Sequence, residues 1–316
     1  MTAAILISLW VLASPIRDTL LQPATVAALK EAVPRDRLAS PVSVIPEEDL
    51  QRNGVYHPQG LSGIIPGLHI PEYGASLTST IYLRGLGSRM ENPVLGLYLD
   101  RPVVSVSADN TRYDPETAWN FELGSRLRKG DLSAELSAYH IAVRNQQLTV
   151  FPPGMSTGRM MTNAGRSRSL GIETEARWTP GNFRALASWS WCDARFLRYG
   201  DGDADYAGKY IPYVPRHTLY ASAGYGFRLG KSRLEADLAA RGYGPVWWNE
   251  GNTLREPFRL LVSSRIALAY PRWEIYLRGE NLTDASGRSF YFKSMGNEFF
   301  ASAKPRIIMT GITLKL

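Results

Sequence analysis

The feature that most constrains the fold of this chain is an alternation of apolar and polar residues that is sustained over long segments. In one segment, Leu234 and Leu238 alternate with Glu235 and Asp237. Because successive side chains of a β-strand point to opposite faces, such a segment has one apolar and one charged face. The alternation keeps phase for about 8 to 11 residues, the length of a tilted membrane strand, whereas strands of soluble sheets usually have about 5 or 6. We therefore favour a membrane β-barrel over a soluble sandwich.

Nine segments of the C-terminal part share this pattern, and we expect each to be one antiparallel strand. They are residues 121–128, 131–138, 170–178, 183–191, 219–228, 234–241, 260–270, 273–280 and 308–316. The connections alternate between short turns and long loops. Short turns are predicted at Lys129-Gly130, Pro180-Gly181, Gly230-Lys231 and Pro271-Arg272, and long loops at 152–158, 200–208, 247–256 and 286–303. In outer-membrane barrels the short connections are periplasmic and the long ones extracellular.

Composition and motifs argue against two other classes of protein. The net charge is +7, but the Lys and Arg residues are scattered rather than clustered, so no nucleic-acid partner is expected. No hydrolase, metalloprotease or phosphate-loop motif is present, and we predict that the chain is not an enzyme. Neither a cofactor nor a metal site is expected, since the four histidines (His57, His69, His140 and His217) have no spacing typical of ligands. Glu173, Glu175 and Arg177 are interpreted as an ion-pair network facing the lumen.

The N-terminus contains an apolar run at residues 3–13, which is too short to span a membrane as a helix. It is long enough for the core of a signal peptide, and we assign residues 1–21 to that role. The first positive residue is Arg17, after the apolar run, so a truncated or misassigned start is the alternative. Elsewhere there is no run of 18 apolar residues, which argues against a helical membrane protein.

Residues 40–108 have a different, mixed α+β character. We predict a strand at 41–45, a helix at 46–53 with acidic residues in its first turn, and Gly54 ending that helix. A second short helix ends at Ile65. Further strands are expected at 68–70 and 81–84, followed by a hairpin over 95–104.

These motifs resemble those of the TonB-dependent outer-membrane receptors. In the N-terminal part the resemblance is carried by Pro66-Gly67-Leu68, Ile81-Tyr82-Leu83-Arg84-Gly85 and Tyr98-Leu99-Asp100. In the C-terminal part it is carried by Pro115-Glu116-Thr117, Asn163-Ala164-Gly165, Gly171-Ile172-Glu173, Asp193-Ala194, Val214-Pro215-Arg216, Asn281-Leu282-Thr283-Asp284 and Pro305-Arg306. The matches occur in the family's order over roughly residues 40–316.

The resemblance implies an α+β plug domain followed by part of an antiparallel transmembrane β-barrel, about nine of normally 22 strands. Residues 22–39 would be a linker with a TonB-box-like segment, 40–108 the plug domain, and 113–316 the C-terminal part of the barrel. The implied protein is a receptor of the bacterial outer membrane that takes up a ferric siderophore or a similar scarce nutrient. It would be an internally truncated form that does not transport by itself. The alternative is a small non-transporting barrel or a degenerate receptor remnant.

Site residues and partners are likewise implied by the resemblance. Outward plug loops would contact the ferric chelate through Tyr73, Arg89 and Asn92. Thr25 and Val26 would contact the TonB-ExbB-ExbD complex, while outer-membrane lipids and the barrel assembly machinery are the other expected partners. The residues with a structural role in the plug are Pro66, Gly67, Arg84, Gly85 and Asp100.

Three departures from the family pattern qualify this interpretation. Some 13 barrel strands are missing between the plug and the first predicted strand, Asp100 is followed by Arg101 where most relatives have Gly, and the chain ends in Leu316 rather than Phe or Trp. A closed barrel of nine strands is too narrow to hold a plug, because about 22 strands enclose one. We therefore expect the plug to lie outside the strand layer and to be partly exposed. The nine strands must close, oligomerise or stay out of the bilayer, since open sheet edges are costly in lipid.

Overall fold

A computed structural model describes most of the C-terminal part of the chain and selected segments before it. The described residues are 25–26, 33–34, 42–71, 80–87, 98–99, 101–102, 117–145, 147–150, 160–163, 165–200, 204–294 and 297–314. Nine long strands form one antiparallel sheet. They are β1 (Thr117–Lys129), β2 (Leu132–Arg144), β3 (Arg166–Trp178), β4 (Phe183–Arg198), β5 (His217–Leu229), β6 (Ser232–Gly244), β7 (Arg259–Ala269), β8 (Trp273–Glu280) and β9 (Ile307–Leu314).

In this sheet the nine strands pair in their order along the chain, β1 with β2, β2 with β3 and so on to β9. Every one of the nine segments predicted from the alternation lies largely within one of these strands. The short turns are also where they were expected: Lys129 pairs with Leu132, and Leu229 pairs with Ser232, so two residues connect each pair of strands. Gly130 and Gly230 have φ values of 57° and 61°. Residues with a Cβ adopt such backbone angles only at a cost in free energy. The prediction of a nine-stranded antiparallel meander is confirmed.

The remaining elements are short. They are helix α1 (Glu47–Arg52), a 3₁₀ helix (Pro58–Leu61), a three-stranded sheet (Leu68–His69, Tyr82–Leu83, Leu86–Gly87), and the strand pairs Thr25–Val26 with Val33–Pro34, Tyr98–Leu99 with Arg101–Pro102, Gln147–Val150 with Met160–Asn163, Val246–Trp247 with Arg255–Glu256, and Arg288–Ser294 with Asn297–Ser302. The last three pairs extend the predicted long loops or adjoin them. The strand predicted at 41–45 is wrong, because residues 42–46 form no regular element and pair with no strand of the described chain.

The two faces of the nine-stranded sheet differ as the alternation predicts. One face is apolar and uncovered by the described residues, with Leu123 80% and Ile312 69% exposed. Other exposed apolar side chains on the strands are Leu127, Leu136, Leu170, Ile172, Phe227, Leu238, Leu260, Ile266, Ile275, Leu277 and Ile308. Most of the charged side chains lie on the opposite face, whereas the ion-paired Arg168, Asp193 and Arg195 lie on the same face as Leu170. A contiguous apolar surface of this extent is typical of contact with lipid or with another protein.

The charged face is covered by residues 42–71 and 80–87, which we call the N-terminal unit. Its own core consists of Leu50, Leu61, Ile65, Leu68 and Ile70. Further apolar contacts join it to the sheet, since Ile64 packs with Leu186 and Tyr220, and Leu86 packs with Tyr139, Ile141 and Val143. The expectation that the plug lies outside the strand layer and is partly exposed is therefore wrong for these residues, which pack against the strands. The nine strands leave one side of the unit open, so it docks on the sheet without having to fit inside a closed nine-stranded barrel.

The sheet is open within the part of the chain that the structure describes. Strand β1 pairs only with β2, and β9 pairs only with β8. Of the described helices, none is long and apolar enough to cross a membrane.

Candidate functional site at the interface between the N-terminal unit and the sheet

The predicted site residues fall into two groups. Tyr73, Arg89, Asn92 and Asp100 lie outside the described residues. Thr25 and Val26 form a strand that pairs with Val33–Pro34. In contrast, three of the residues predicted to be structural in the plug, Gly67, Arg84 and Gly85, lie where the N-terminal unit contacts the sheet.

Arg84 is the centre of that contact. Its Nη1 lies 2.8 Å from Oε2 of Glu122 on β1, and its Nη2 lies 2.7 Å from Oε2 of Glu173 on β3. Its Nε donates a second hydrogen bond to Glu173 at 3.0 Å, so one edge of the guanidinium binds this carboxylate through two hydrogen bonds. The guanidinium carbon lies 4.6 Å from the centroid of the Tyr139 ring. One side chain of the unit therefore bridges three strands of the sheet.

The electrostatics of Arg84 favour the charged form strongly. Burial opposes its charge, but the hydrogen bonds and the negative charges of Glu122 and Glu173 outweigh burial and raise the pKa of the guanidinium above its ordinary value. Arginine suits this position because its planar fork can satisfy two carboxylates at once. Removing one member of such a buried network leaves the others uncompensated, which is more costly than the net value of the pair.

The backbone around Arg84 requires the residues found there. Arg84 and Gly85 have φ values of 54° and 79°, and form a turn between two strands of the unit. The Arg84 carbonyl accepts a hydrogen bond from Ser169 Oγ at 2.6 Å. A Cβ at Gly85 would lie 2.6 Å from the Cβ of Ala194 on β4, closer than real Cβ contacts come. The Arg-Gly pair of the sequence motif therefore combines a charged side chain with a close approach of backbone to sheet.

Gly67 provides a second close approach. It has φ of 72°, and its N–H donates to Thr218 Oγ1 on β5 at 3.3 Å. A side chain at this position would collide with the carboxylate of Glu173. On β4, Ser188 Oγ donates to the carbonyls of Gly63 and Ile64 at 2.8 and 3.0 Å. Glycine in the Pro-Gly step thus lets the unit reach the strands.

Helix α1 makes a separate set of contacts, which the sequence interpretation missed. Asp49 pairs with Arg177 on β3 at 2.6 Å. Arg52 pairs with Glu235 on β6 at 3.4 Å. Burial opposes the charge on Arg52, yet Glu235 and Glu48 outweigh that effect and raise its pKa. Arg278 on β8 donates to the carbonyls of Gln51 and Arg52 at 2.7 and 2.8 Å, where the helix ends. A cation at a helix C-terminus satisfies carbonyls that have no partner within the helix.

The predicted ion-pair network of Glu173, Glu175 and Arg177 has partners in the N-terminal unit that the sequence did not indicate. The three side chains do lie on the charged face, but each contacts a different residue of the N-terminal unit. Glu173 binds Arg84, Glu175 accepts a hydrogen bond from Ser43 at 3.1 Å, and Arg177 binds Asp49. Alternation along a strand indicates which face a charge occupies, but not the partner that covers that face.

A cavity of about 400 Å³ separates the unit from strands β6 to β9. Its walls include Arg52, His69, Arg241, Arg265 and Arg278. His69 is 3% exposed, and neither of its ring nitrogens has a hydrogen-bond partner among the residues that the structure describes. Burial, together with the charge of Arg259, lowers the pKa of His69 to about 3. Within the described part of the chain, no cluster of three or more His, Cys, Asp or Glu side chains could hold a metal ion.

The chain is similar to a known protein family and to individual receptors. Residues 75–282 match the family model described as TonB dependent receptor-like, beta-barrel. The pesticin receptor of Yersinia enterocolitica is 28% identical over 192 residues, which cover 60% of this chain and 27% of that receptor. The metal-pseudopaline receptor CntO of Pseudomonas aeruginosa is 25% identical over 233 residues, which cover 70% of this chain and 32% of that receptor.

A solved structure gives the same picture for the fold. The ferric yersiniabactin uptake receptor FyuA from Yersinia pestis aligns with a TM-score of 0.55 and 21% identity, covering 66% of this chain and 32% of that chain. The matched region thus spans about a third or less of the length of these receptors. Because the family model covers more than half of the 316 residues, the chain belongs to the family of TonB-dependent receptors.

Proposed function

We propose that this protein is a receptor of the bacterial outer membrane for a ferric siderophore or a similar scarce nutrient, in an internally shortened form that does not transport by itself. Residues 40–108 are its plug domain and 113–316 the C-terminal part of its barrel. The relatives named above support the ligand class, since their names refer to yersiniabactin and pseudopaline.

The main observation behind the proposal is that the two faces of the nine-stranded sheet differ in what covers them. Its apolar face is exposed, whereas its charged face holds the N-terminal unit through Arg84, Glu122 and Glu173. A soluble protein would bury the apolar face first, because burial of apolar surface contributes about 25 cal/mol per Å². A sheet that buries its charges and exposes its apolar side is adapted to lipid.

The roles of individual residues follow from the same assignment. Tyr73, Arg89 and Asn92, on the plug loops, contact the ferric chelate, and Arg89 complements its negative charge. Thr25 and Val26 pair with TonB of the TonB-ExbB-ExbD complex by strand addition, which requires an extended segment with a free edge. The barrel assembly machinery and the lipids of the outer membrane are the remaining partners.

The alternative function is that of a non-transporting small barrel or a receptor remnant, and the open sheet favours it. Among the described strands, β1 and β9 are each paired on one side only, and nine strands cannot seal a pore around the unit. The two functions differ in whether the N-terminal unit responds to TonB.

An uptake experiment tests the proposal. The 316-residue chain is expressed in cells that lack their own receptors but contain TonB, and accumulation of a panel of labelled ferric siderophores is measured. We expect the chain in the outer-membrane fraction, with no uptake above the empty-vector control. TonB-dependent accumulation would contradict the absence of transport, and a chain found only outside the outer membrane would contradict the assigned location.

A further inference from the structure

A group of arginine side chains lies on the apolar face of the nine-stranded sheet. On β3, Arg166 and Arg168 share the face of Leu170, because side chains two positions apart on a strand point the same way. In the register between β3 and β4, Arg168 is opposite Arg195 and Leu170 is opposite Asp193. Charges on the lipid-facing side of a membrane strand are costly at the middle of the bilayer but not near its surfaces. Their depth therefore decides what they can do.

Aromatic residues on β4 show where along the strands these charges lie. Phe183, at the short-turn end, and Trp189 and Trp191, further along the strand, point to the apolar face. In outer-membrane barrels, girdles of aromatic residues flank the apolar band at both interfaces. Asp193 and Arg195 lie two and four positions beyond Trp191, towards the long loops. In the proposed orientation, the charges thus lie just outside the apolar band, at the level of the lipid headgroups on the extracellular side.

Three guanidinium groups share the carboxylate of Asp193. Arg195 Nε lies 3.1 Å from Asp193 Oδ2. Arg216, just before β5, and Arg168 lie 3.5 and 3.7 Å from the same carboxylate. Three positive charges and one negative charge leave an excess of two positive charges in the cluster. The side chains of Arg168 and Arg195 are 43% and 34% exposed, so an anion can reach both from outside the sheet.

Tyr210 holds two of these arginines in place. Its hydroxyl accepts hydrogen bonds from Arg195 Nη2 and, at 2.7 Å, from Arg216 Nη1. The two guanidinium carbons lie 4.1 and 4.8 Å from the centroid of its ring. The ring itself stacks on Trp247, with 4.3 Å between the centroids. Because these side chains are already fixed, they lose little conformational entropy when an anion binds.

A second row of arginines lies one step further towards the long loops. Arg166 is opposite Arg144 on β2 and opposite Arg198 on β4. All three residues are exposed. Like charges directly opposite each other on neighbouring strands destabilise a sheet. An anion that binds across both rows offsets this repulsion.

The surface beside the arginines fits a lipid better than a free anion. Leu170 and Ile172 are 40% and 37% exposed and follow Arg168 on the same face of β3. Arginine recognises phosphate through paired hydrogen bonds. A phosphate bound at the arginines places the attached acyl chains along these apolar side chains, and burial of apolar surface favours binding. Inorganic phosphate has no apolar part that could use this surface.

We propose that Arg168, Arg195 and Arg216 bind the phosphorylated headgroup of a lipid in the outer leaflet. Arg144 and Arg166 extend the site towards a second phosphate, and the acyl chains lie along the apolar face of the sheet. This inference rests on the outer-membrane location proposed above, and adds the class of lipid and the side chains that bind it.

Binding of fluorescent, bisphosphorylated lipid A to the full chain tests the proposal. The chain is extracted from the outer-membrane fraction of expressing cells into neutral detergent, and binding is followed by fluorescence anisotropy. The variant Arg168→Gln/Arg195→Gln removes two charges of the first row. The variant Arg144→Gln/Arg166→Gln removes two charges of the second row. Dephosphorylated lipid A and inorganic phosphate are used as competitors.

The matched control is Lys129→Gln/Arg272→Gln, which removes two exposed charges at the short-turn end of the sheet. We expect the first-row variant to bind lipid A about tenfold more weakly than the control, because a lost hydrogen bond between charged groups costs about that factor or more. The second-row variant should lose about threefold, as for an exposed ion pair. Unchanged proteolysis of the N-terminal unit shows that a variant is folded. If the first-row variant is not folded, the second-row variant decides.

Equal binding by the folded variants and the control, with the chain in the outer-membrane fraction, would overturn the lipid site alone. Competition by inorganic phosphate as effective as that by the phosphorylated lipid would also overturn it, and would identify a site for free anions. Dephosphorylated lipid A that competes equally well would show that the arginines do not recognise phosphate. A chain absent from the outer-membrane fraction would contradict the proposed location, and the lipid site with it.

Discussion

The interface between the N-terminal unit and the sheet has two halves that are built differently. The tight half lies along β1 to β5, where apolar side chains and hydrogen bonds fill the space between the unit and the sheet. Here Arg84, Ser169 and Ser188 make contacts of 2.6 to 3.0 Å. Along β6 to β9, the open half, the cavity of about 400 Å³ intervenes. There the unit is held by long-reaching side chains, chiefly Arg278 and the Arg52–Glu235 pair at 3.4 Å.

The difference indicates which part of the unit can move at the lowest cost. Regions with few buried apolar contacts open with a lower free energy than densely packed ones. In the open half the cavity separates the unit from the strands, and within the described part of the chain the ring nitrogens of buried His69 have no hydrogen-bond partner. We therefore expect the unit to loosen first beside β6 to β9, while Arg84 keeps it attached to β1 and β3.

The largest expected effect is that of Arg84→Met in the tight half. This change leaves Glu122 and Glu173 buried without their cation, and should destabilise the docked unit by about 3 to 5 kcal/mol. The measurement is urea-induced unfolding of the chain folded in lipid vesicles, combined with limited proteolysis of residues 42–87.

The matched control is Arg126→Met. Arg126 pairs with Glu135 at 3.0 Å within the sheet, and its side chain is 32% exposed. Its loss should cost no more than about 1 kcal/mol, because exposed pairs contribute little. Equal effects of the two variants on proteolysis would show that Arg84 does not hold the unit.

Gly67→Ala should have the next largest effect. The new Cβ meets both the left-handed backbone of φ 72° and the carboxylate of Glu173, so the expected cost is about 2 to 3 kcal/mol. Gly130→Ala is the control, since φ is 57° there but no atom lies within 4 Å of the added Cβ. It should cost only the backbone strain of about 1 kcal/mol. If the two variants unfold at the same urea concentration, the close approach at Gly67 is not important for docking.

The sequence predicted the sheet well because alternation is a local property. A segment such as 234–241 specifies its own strand and its own two faces, and Gly130 and Gly230 specify tight turns. Short segments were harder. Residues 41–45 are rich in residues that favour strands, yet none of the described strands pairs with residues 42–45. Pairing decides whether such a segment becomes a strand.

The interface could be predicted only in part. Arg84 and Gly67 were identified as structural through the resemblance to the family, and they do contact the sheet. Their partners were not predictable, since Arg84 and Glu173 are 89 positions apart and meet only when the unit docks. Asp49, Arg278 and the cavity were missed for the same reason. A charged residue on a strand indicates a polar environment, but its partner depends on a surface from another part of the chain.

Lowering the pH to 5 should reduce the free energy of unfolding by about 2 kcal/mol, through His69 in the open half. The pKa of His69 is lowered to about 3 by burial and by Arg259, while an unfolded chain protonates histidine near pH 6.5. The unfolded state therefore binds more protons between pH 6.5 and 3, and stability is present above pH 6.5 and lost as the pH falls. A difference of 1.5 pH units corresponds to about 2 kcal/mol.

The variant His69→Phe isolates this effect. Phenylalanine keeps an aromatic ring against Tyr243, whose ring centroid lies 5.0 Å from that of His69, but it cannot be protonated. Urea unfolding of both proteins at pH 7 and pH 5 should give a smaller loss on acidification for the variant. Identical losses would mean that His69 is accessible to protons without unfolding.

The smallest effect is expected for Arg278→Met in the open half. The change removes the donor to the carbonyls of Gln51 and Arg52, but the adjoining cavity gives water access to them, so the cost should be about 1 to 2 kcal/mol. Arg278→Lys should recover part of it, since an ammonium retains the charge at the helix end without the two-pronged geometry. Limited proteolysis should show faster cleavage near α1 while the contacts of Arg84 persist. If Arg278→Met releases the whole unit as readily as Arg84→Met does, the two halves contribute equally and the unit detaches as one body.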